Sequence, residues 1–299
     1  MLDTHPSTIA QATNGVRRRT VLRVALAGAV AGTVAMSAFS APALADVGAY
    51  FDTHDAASVA TVDHSIWDGL LKKYITVDAT GLHRVDYRAW QQDRAPLQSY
   101  IQLLEGTKVT RLNRPEQFAF WANLYNAMTI DVVLRKYPVE SIKNISLGGS
   151  LFSFVAGGPW DAVVTQVEGK ELTLNNIEHD IMRPIFADPR VHYAVNCASV
   201  GCPNLAKDAF TGAELEQQLN AGAVAYVNSP RGVKVTSNGV VASKIYSWFR
   251  DDFGDSEADV IAHAAKYAAP DLKAQLAGKT GIYDHEYDWS LNDTSNATN

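Results

Sequence analysis

The segment from Asn113-Arg114-Pro115 to Tyr137-Pro138 constrains this chain more than any other. Within it Phe118, Trp121, Tyr125, Met128 and Val132 recur at helical spacing, so a broad apolar face must be buried against other elements. Proline is tolerated in the first turn of a helix and ends one further along. Pro115 and Pro138 therefore bound a long helix, the expected centre of the core. Two helical segments precede it. Ser65 can cap a helix carrying Ile66, Trp67, Leu70, Leu71 and Tyr74, and a second stripe runs through Tyr87, Trp90, Leu97, Ile101 and Leu104, with a break at Pro96.

The second half alternates in character. Residues 160–168 and 171–172 flank Gly169, and residues 233–236 and 240–242 flank Asn238-Gly239, a strong two-residue hairpin signal. Residues 191–195 form an apolar run that reads as a buried strand, and residues 281–283 read as a last one. Thr173, the capping box Thr211…Glu214, Ser243 and Ser256 open helices between them. The pattern predicts an α+β domain, a helical first half packed on a small, largely antiparallel sheet.

Arg17, Arg18, Arg19 and Arg23 precede an Ala/Gly-rich apolar stretch over residues 24–41 and then Ala43-Leu44-Ala45, a small-x-small processing site. This predicts a twin-arginine signal peptide over residues 1–45 and a periplasmic or secreted location. Residues 46–62 are expected to be a loosely ordered lead-in, residues 63–293 a single domain and residues 294–299 a polar tail. The net charge is −6, and the signal carries more positive than negative charge, so the remainder is more acidic still. That balance excludes nucleic acid as a partner. No membrane span is expected after removal of the signal, and the expected partner is a peptide or small-molecule ligand.

Both cysteines lie in one segment, His192-Tyr193-Ala194-Val195-Asn196-Cys197-Ala198-Ser199-Val200-Gly201-Cys202-Pro203. Pro203 fits the first position of a helix, which would put the Cys202 thiol at the N-cap, where the macrodipole favours thiolate. A nucleophilic reading makes Cys202 the nucleophile, His192 the base, Glu178 or Asn123 the orienter, and the amides after Cys202 with the Ser199 hydroxyl the oxyanion donors. Asn126, Asn196 and Ser199 would line the substrate site. A structural reading makes Cys197 and Cys202 a disulfide, which export permits. A zinc reading uses His179 or His192 with Cys197, Cys202 and Glu178, although the C-x4-C spacing is looser than the usual knuckle. No cofactor is otherwise expected. Asn123 and Asn126 share a helix face and either tie loops to the helix or line a site. Glu178 and His179 either serve the site or pair with Arg183 or Arg190 on the surface.

A resemblance covers most of the chain, from about residue 63 to 293. His64-Ser65-Ile66-Trp67, Phe120-Trp121-Ala122-Asn123-Leu124-Tyr125-Asn126-Ala127, Asn176-Ile177-Glu178-His179, Asp188-Pro189-Arg190-Val191-His192, Asn196-Cys197-Ala198-Ser199-Val200-Gly201-Cys202-Pro203 and Tyr287-Asp288-Trp289 occur in order. Together they resemble the bacterial branch of domain-of-unknown-function family 547. Comparison of that family with papain-like and transglutaminase-like enzymes implies a fold of that kind and, by analogy, a thiol-dependent hydrolase or acyl transferase acting on peptide or amide bonds. The alternative is a non-catalytic binding domain.

Overall fold

Pro115 and the Asn113 cap start the central helix where the sequence places it. In the computed structural model, which describes residues 47–147 and 158–296, the helix runs Arg114–Lys136, and the Asn113 side chain accepts from the Glu116 amide. Every residue from Glu116 to Leu134 is buried, so the helix is enclosed on all sides instead of showing one apolar face. The helices Ser65–Tyr74, Tyr87–Gln92 and Ala95–Glu105 surround it. Pro96 occupies the first turn of the last of these, and Asp86 caps the one before by accepting from the Ala89 amide. Their faces meet in an aromatic cluster: Trp67 stacks on Tyr100 and lies 5.8 Å from Trp90, and Phe51 meets Trp121 edge-on at 4.8 Å.

Phe51 belongs to residues 47–62, the expected loose lead-in. The start of this segment is docked, since helix Val47–Phe51 buries Phe51 and the Asp55 amide donates to the Leu112 carbonyl, while most of residues 52–61 is exposed. An apolar aromatic within reach of the core outweighs the polar composition around it. The expected signal lies outside the described residues.

Among the described residues the sheets are three and small. β1 (Ile75–Val77) pairs with β2 (His83–Val85), and β3 (Val163–Val167) with β4 (Lys170–Thr173), both antiparallel. β5 (Val233–Thr236) and β6 (Gly239–Ser243) form the Asn238-Gly239 hairpin, and β7 (Ile282–Glu286) joins β6 in parallel. A parallel neighbour requires a crossover, and helices Ile245–Trp248, Arg250–Phe253, Glu257–Tyr267 and Pro270–Leu276 supply it. A second apolar cluster around Tyr193, Tyr226, Tyr246 and Phe253 packs beneath this sheet. The fold is α+β, as the sequence predicts, and the described residues belong to one compact unit, Leu44–Asn299.

Several local expectations fail, among them the caps at Ser65 and Ser243 and the Thr211…Glu214 box, since the N-caps there are His64, Lys244 and Glu214 without side-chain cap bonds. Residues 191–195 are a helical turn, Val191–Ala194, because the Asp188 carbonyl accepts from the Val191 amide and the Asp188 side chain holds the Arg190 guanidinium. A short apolar run fits a buried turn as well as a strand. Pro203 opens no helix; the next one is Leu215–Val227. Cys202 therefore sits at no helix N-terminus.

Candidate functional site

The cysteine loop is held from two sides. On the core side, Asn126 Nδ2 donates to the Ala194 carbonyl at 2.9 Å and its Oδ1 accepts from the Asn196 amide at 2.8 Å. Asn196 in turn spans the loop, donating to the Pro203 carbonyl and accepting from the Ala198 amide. On the other side, Arg231 donates to the Val200 and Cys202 carbonyls and Tyr226 to that of Gly201. The clamped backbone carries Ala198, immediately after Cys197, at φ +61°. A left-handed residue other than glycine costs about 1–2 kcal/mol, and such strain gathers at functional sites.

The two thiols are free, and their sulfurs share a hydrogen bond at 2.9 Å. Cys197 Sγ also meets the Tyr287 hydroxyl at 3.0 Å and Ser199 Oγ at 3.2 Å, and those two hydroxyls are 2.8 Å apart. The hydrogen bond with Cys202, then those with Ser199 and Tyr287, lower the Cys197 pKa against the opposing effect of burial. Burial pushes the Cys202 thiol well up. The pair thus favours Cys197 as the sulfur that ionises, chiefly through the hydrogen bond with Cys202 and then through Ser199 and Tyr287, while no helix dipole reaches Cys202. Among the described residues neither sulfur hydrogen-bonds to an imidazole.

Across the cavity, His192 Nε2 lies 2.6 Å from Asp252 Oδ2, and Arg183 engages both Asp252 oxygens. Partial burial works the other way, but the hydrogen bonds from His192 and Arg183 hold the Asp252 carboxyl well below the usual range. An ionised carboxylate only accepts, so Nε2 carries a proton, and Nδ1 is the nitrogen left to exchange one with the cavity. Nδ1 faces Glu178 Oε1 at 3.9 Å, and Glu178 accepts from the Tyr125 hydroxyl. The ring itself stacks on Phe249 at 4.4 Å.

Glu178 and His179 lie on Asn176–Met182, which is π-wound, with Thr173 Oγ1 accepting from the Asn176 amide at its start. A π-turn holds more residues than an α-turn, so neighbours diverge less; both side chains line the cavity. Isolated π-turns recur at functional sites. Arg183, which can only donate, approaches His179 Nδ1 at 3.3 Å and so fixes that nitrogen as an acceptor.

The cavity encloses about 180 Å³. Cys197, Glu178 and Tyr125 are among its polar lining. Trp160, Trp248, Tyr287 and Trp289 line it as well, with ring centroids 4.7–5.8 Å apart along the cluster. His179, His192 and Phe249 complete its lining.

Of the residues singled out in the sequence, Glu178, His192, Cys197 and Cys202 converge here, with Ser199 bonded to Cys197. Asn123 does not. Its amide donates to and accepts from the Phe210 backbone, tying that segment to the central helix away from the cavity lining. Asn126 and Asn196 fasten the loop and do not line the cavity. The amides after Cys202 that the sequence offers to an oxyanion begin with Pro203, which has no N–H to give; those before it, of Val200, Gly201 and Cys202, donate to the Ser290, Asp288 and Ser199 carbonyls. Asp252, Tyr287 and the three tryptophans were missed, and no local spacing marks them. No group of three or more His, Cys, Asp or Glu side chains among the described residues is placed to hold a metal. No described helix is long and apolar enough to cross a membrane.

Residues 109–227 match the family model described as a protein of unknown function, DUF547. The match takes in the central helix, Glu178, His192 and both cysteines, while Asp252, Tyr287, Trp248 and Trp289 lie beyond it. No curated protein and no solved structure matches the chain.

Proposed function

This chain is a DUF547-family protein, and we propose that it is a thiol-dependent hydrolase or acyl transferase in which Cys197 is the nucleophile. One observation carries the reading: the acidified Cys197 sulfur and the Asp252-oriented His192 ring open on one small cavity. The Cys197 thiolate adds to the carbonyl carbon of an amide or ester, forming a C–S bond as the carbonyl electrons move to oxygen. Collapse breaks the C–N or C–O bond, and the leaving group takes from His192 Nδ1 the proton that the Cys197 thiol gave up on becoming a thiolate. Water or an amine then attacks the thioester, delivers its proton to His192 Nδ1, and releases the thiolate. The Tyr287 hydroxyl, beside Cys197 in the cavity, is a donor available to the oxyanion.

Alkylation with iodoacetamide tests this. Cys197 is expected to react near neutral pH and faster than Cys202. Cys197→Ser should abolish the fast phase, Cys202→Ser should keep a reactive thiol, and Asp252→Asn should lower turnover in an amidase or esterase screen by mis-setting the His192 tautomer. A fast phase that maps to Cys202 would overturn the assignment.

A second reading, a binding domain whose thiols oxidise to a disulfide, is favoured by the 2.9 Å sulfur separation and by the lack of a sulfur–imidazole bond among the described residues. A thiol count of zero on protein purified without reductant would select it. Export by the twin-arginine route completes the proposal; replacing Arg18 and Arg19 by lysine should leave precursor in the cytoplasm, as fractionation would show.

A further inference from the structure

The groups that line the cavity are unequal in charge. Glu178 contributes a carboxylate, and the thiol pair can contribute a second negative charge. The positive groups nearby are already committed. Arg183 is paired with Asp252 in a bidentate contact, and its guanidinium lies 4.8 Å from the Phe249 ring centroid. His179 accepts from Arg183 at Nδ1, and His192 gives its Nε2 proton to Asp252. Lys143, outside the lining, sits 5.0 Å from the Trp289 ring centroid. Among the described residues, the cavity lining holds no Lys or Arg to pair with an anion bound beside Glu178.

The walls point the same way. Trp160, Trp248, Tyr287 and Trp289 bring four electron-rich rings to the cavity that Glu178 lines, and Lys143 and Arg183 already lie over the Trp289 and Phe249 rings. Trp160 lies beside the start of the Glu178 helix, its carbonyl accepting from the Asn175 amide. Trp248 is 46% exposed although it is large and apolar, and its ring is available at the rim. Aromatic rings around a carboxylate are the arrangement that recognises organic cations, since a ring face attracts an ammonium group that the carboxylate neutralises.

We propose that the cavity binds a small organic cation, an amine or substituted ammonium group held between Glu178 and the tryptophan wall. The inference rests on the proposed site for its location and narrows the substrate of the thiol reaction to acyl compounds bearing such a group. An adjoining amide or ester would then reach Cys197 in the same cavity.

Three probes of like shape and different charge test it: benzylamine, benzyl alcohol and benzoate, titrated at pH 7 against intrinsic tryptophan fluorescence of the reduced protein. Benzylammonium is expected to bind about tenfold more tightly than benzyl alcohol, with benzoate the weakest. Glu178→Gln should remove most of the preference for the cation while leaving benzyl alcohol unchanged. Trp248→Ala, a rim substitution that leaves Glu178 untouched, should weaken benzylammonium binding by a few-fold. Equal or tighter binding of benzoate, an unaltered preference in Glu178→Gln, or no saturable signal with benzylammonium would overturn the inference. Iodoacetamide alkylation of the same samples separates the two readings. Fast Cys197 alkylation without cation binding sinks only this inference, whereas cation binding with an inert Cys197 sinks only the thiol chemistry.

Discussion

The six tryptophans fall into two groups of three. Trp67, Trp90 and Trp121 are sealed in the helical core, at most 1% exposed, whereas Trp160, Trp248 and Trp289 line the cavity and keep contact with solvent. The first three lie on helices with apolar neighbours at helical spacing, so burial is their whole role. The others come from the turn before β3, the end of a one-turn helix and the segment after β7. They pack mainly on each other and on Tyr287. The same residue type thus holds the fold together in one region and shapes a binding surface in the other.

The strongest way to break this comparison is Trp121→Ala. Truncating a fully buried tryptophan costs about 3–5 kcal/mol, and urea unfolding should show a loss of that order; a loss near zero would mean the core collapses around the gap.

Acid should act on buried imidazoles in both halves of the molecule. His64, against Tyr100, and His263, against Tyr193, are pushed down to about 4 by burial. Between the unfolded value of about 6.5 and that folded value, the unfolded chain binds protons that the native state refuses. Their contribution to stability is therefore complete above about pH 6.5 and shrinks as the pH falls toward 4. Urea midpoints measured from pH 7.5 to 4.5 should fall, and His64→Gln should fall less.

The asparagines sharpen the contrast at intermediate cost. Asn123→Ala and Asn126→Ala each strand buried backbone groups, worth roughly 1–3 kcal/mol apiece. Both should lower the unfolding midpoint. Only Asn126→Ala, which frees the cysteine loop, should also slow iodoacetamide alkylation of Cys197; equal slowing in both would show a general loosening. The smallest effect belongs to Trp248→Ala, under about 1 kcal/mol, since a half-exposed side chain leaves no sealed gap.

Much of the scaffold was written locally. Asn113, Pro115 and Pro138 bound the central helix, Asn238-Gly239 and Gly169 make the hairpins, and Ser256 with Asp259 closes a capping box. These are signals between residues a few positions apart, so the sequence alone determined them, together with the α+β class and the nearness of Cys197 to Cys202. The tertiary structure decided what the cysteines do. Asp252 lies sixty positions from the histidine it orients, and Tyr287 ninety from the sulfur it touches. Nothing local distinguishes that aspartate or that tyrosine from its neighbours. Whether residues 191–195 became a strand or a turn, and which thiol became the acidic one, followed from packing, from the bond between the thiols and from hydroxyls brought in by distant segments. Periodicity reports which face is buried; it carries no information about the partner that will meet it.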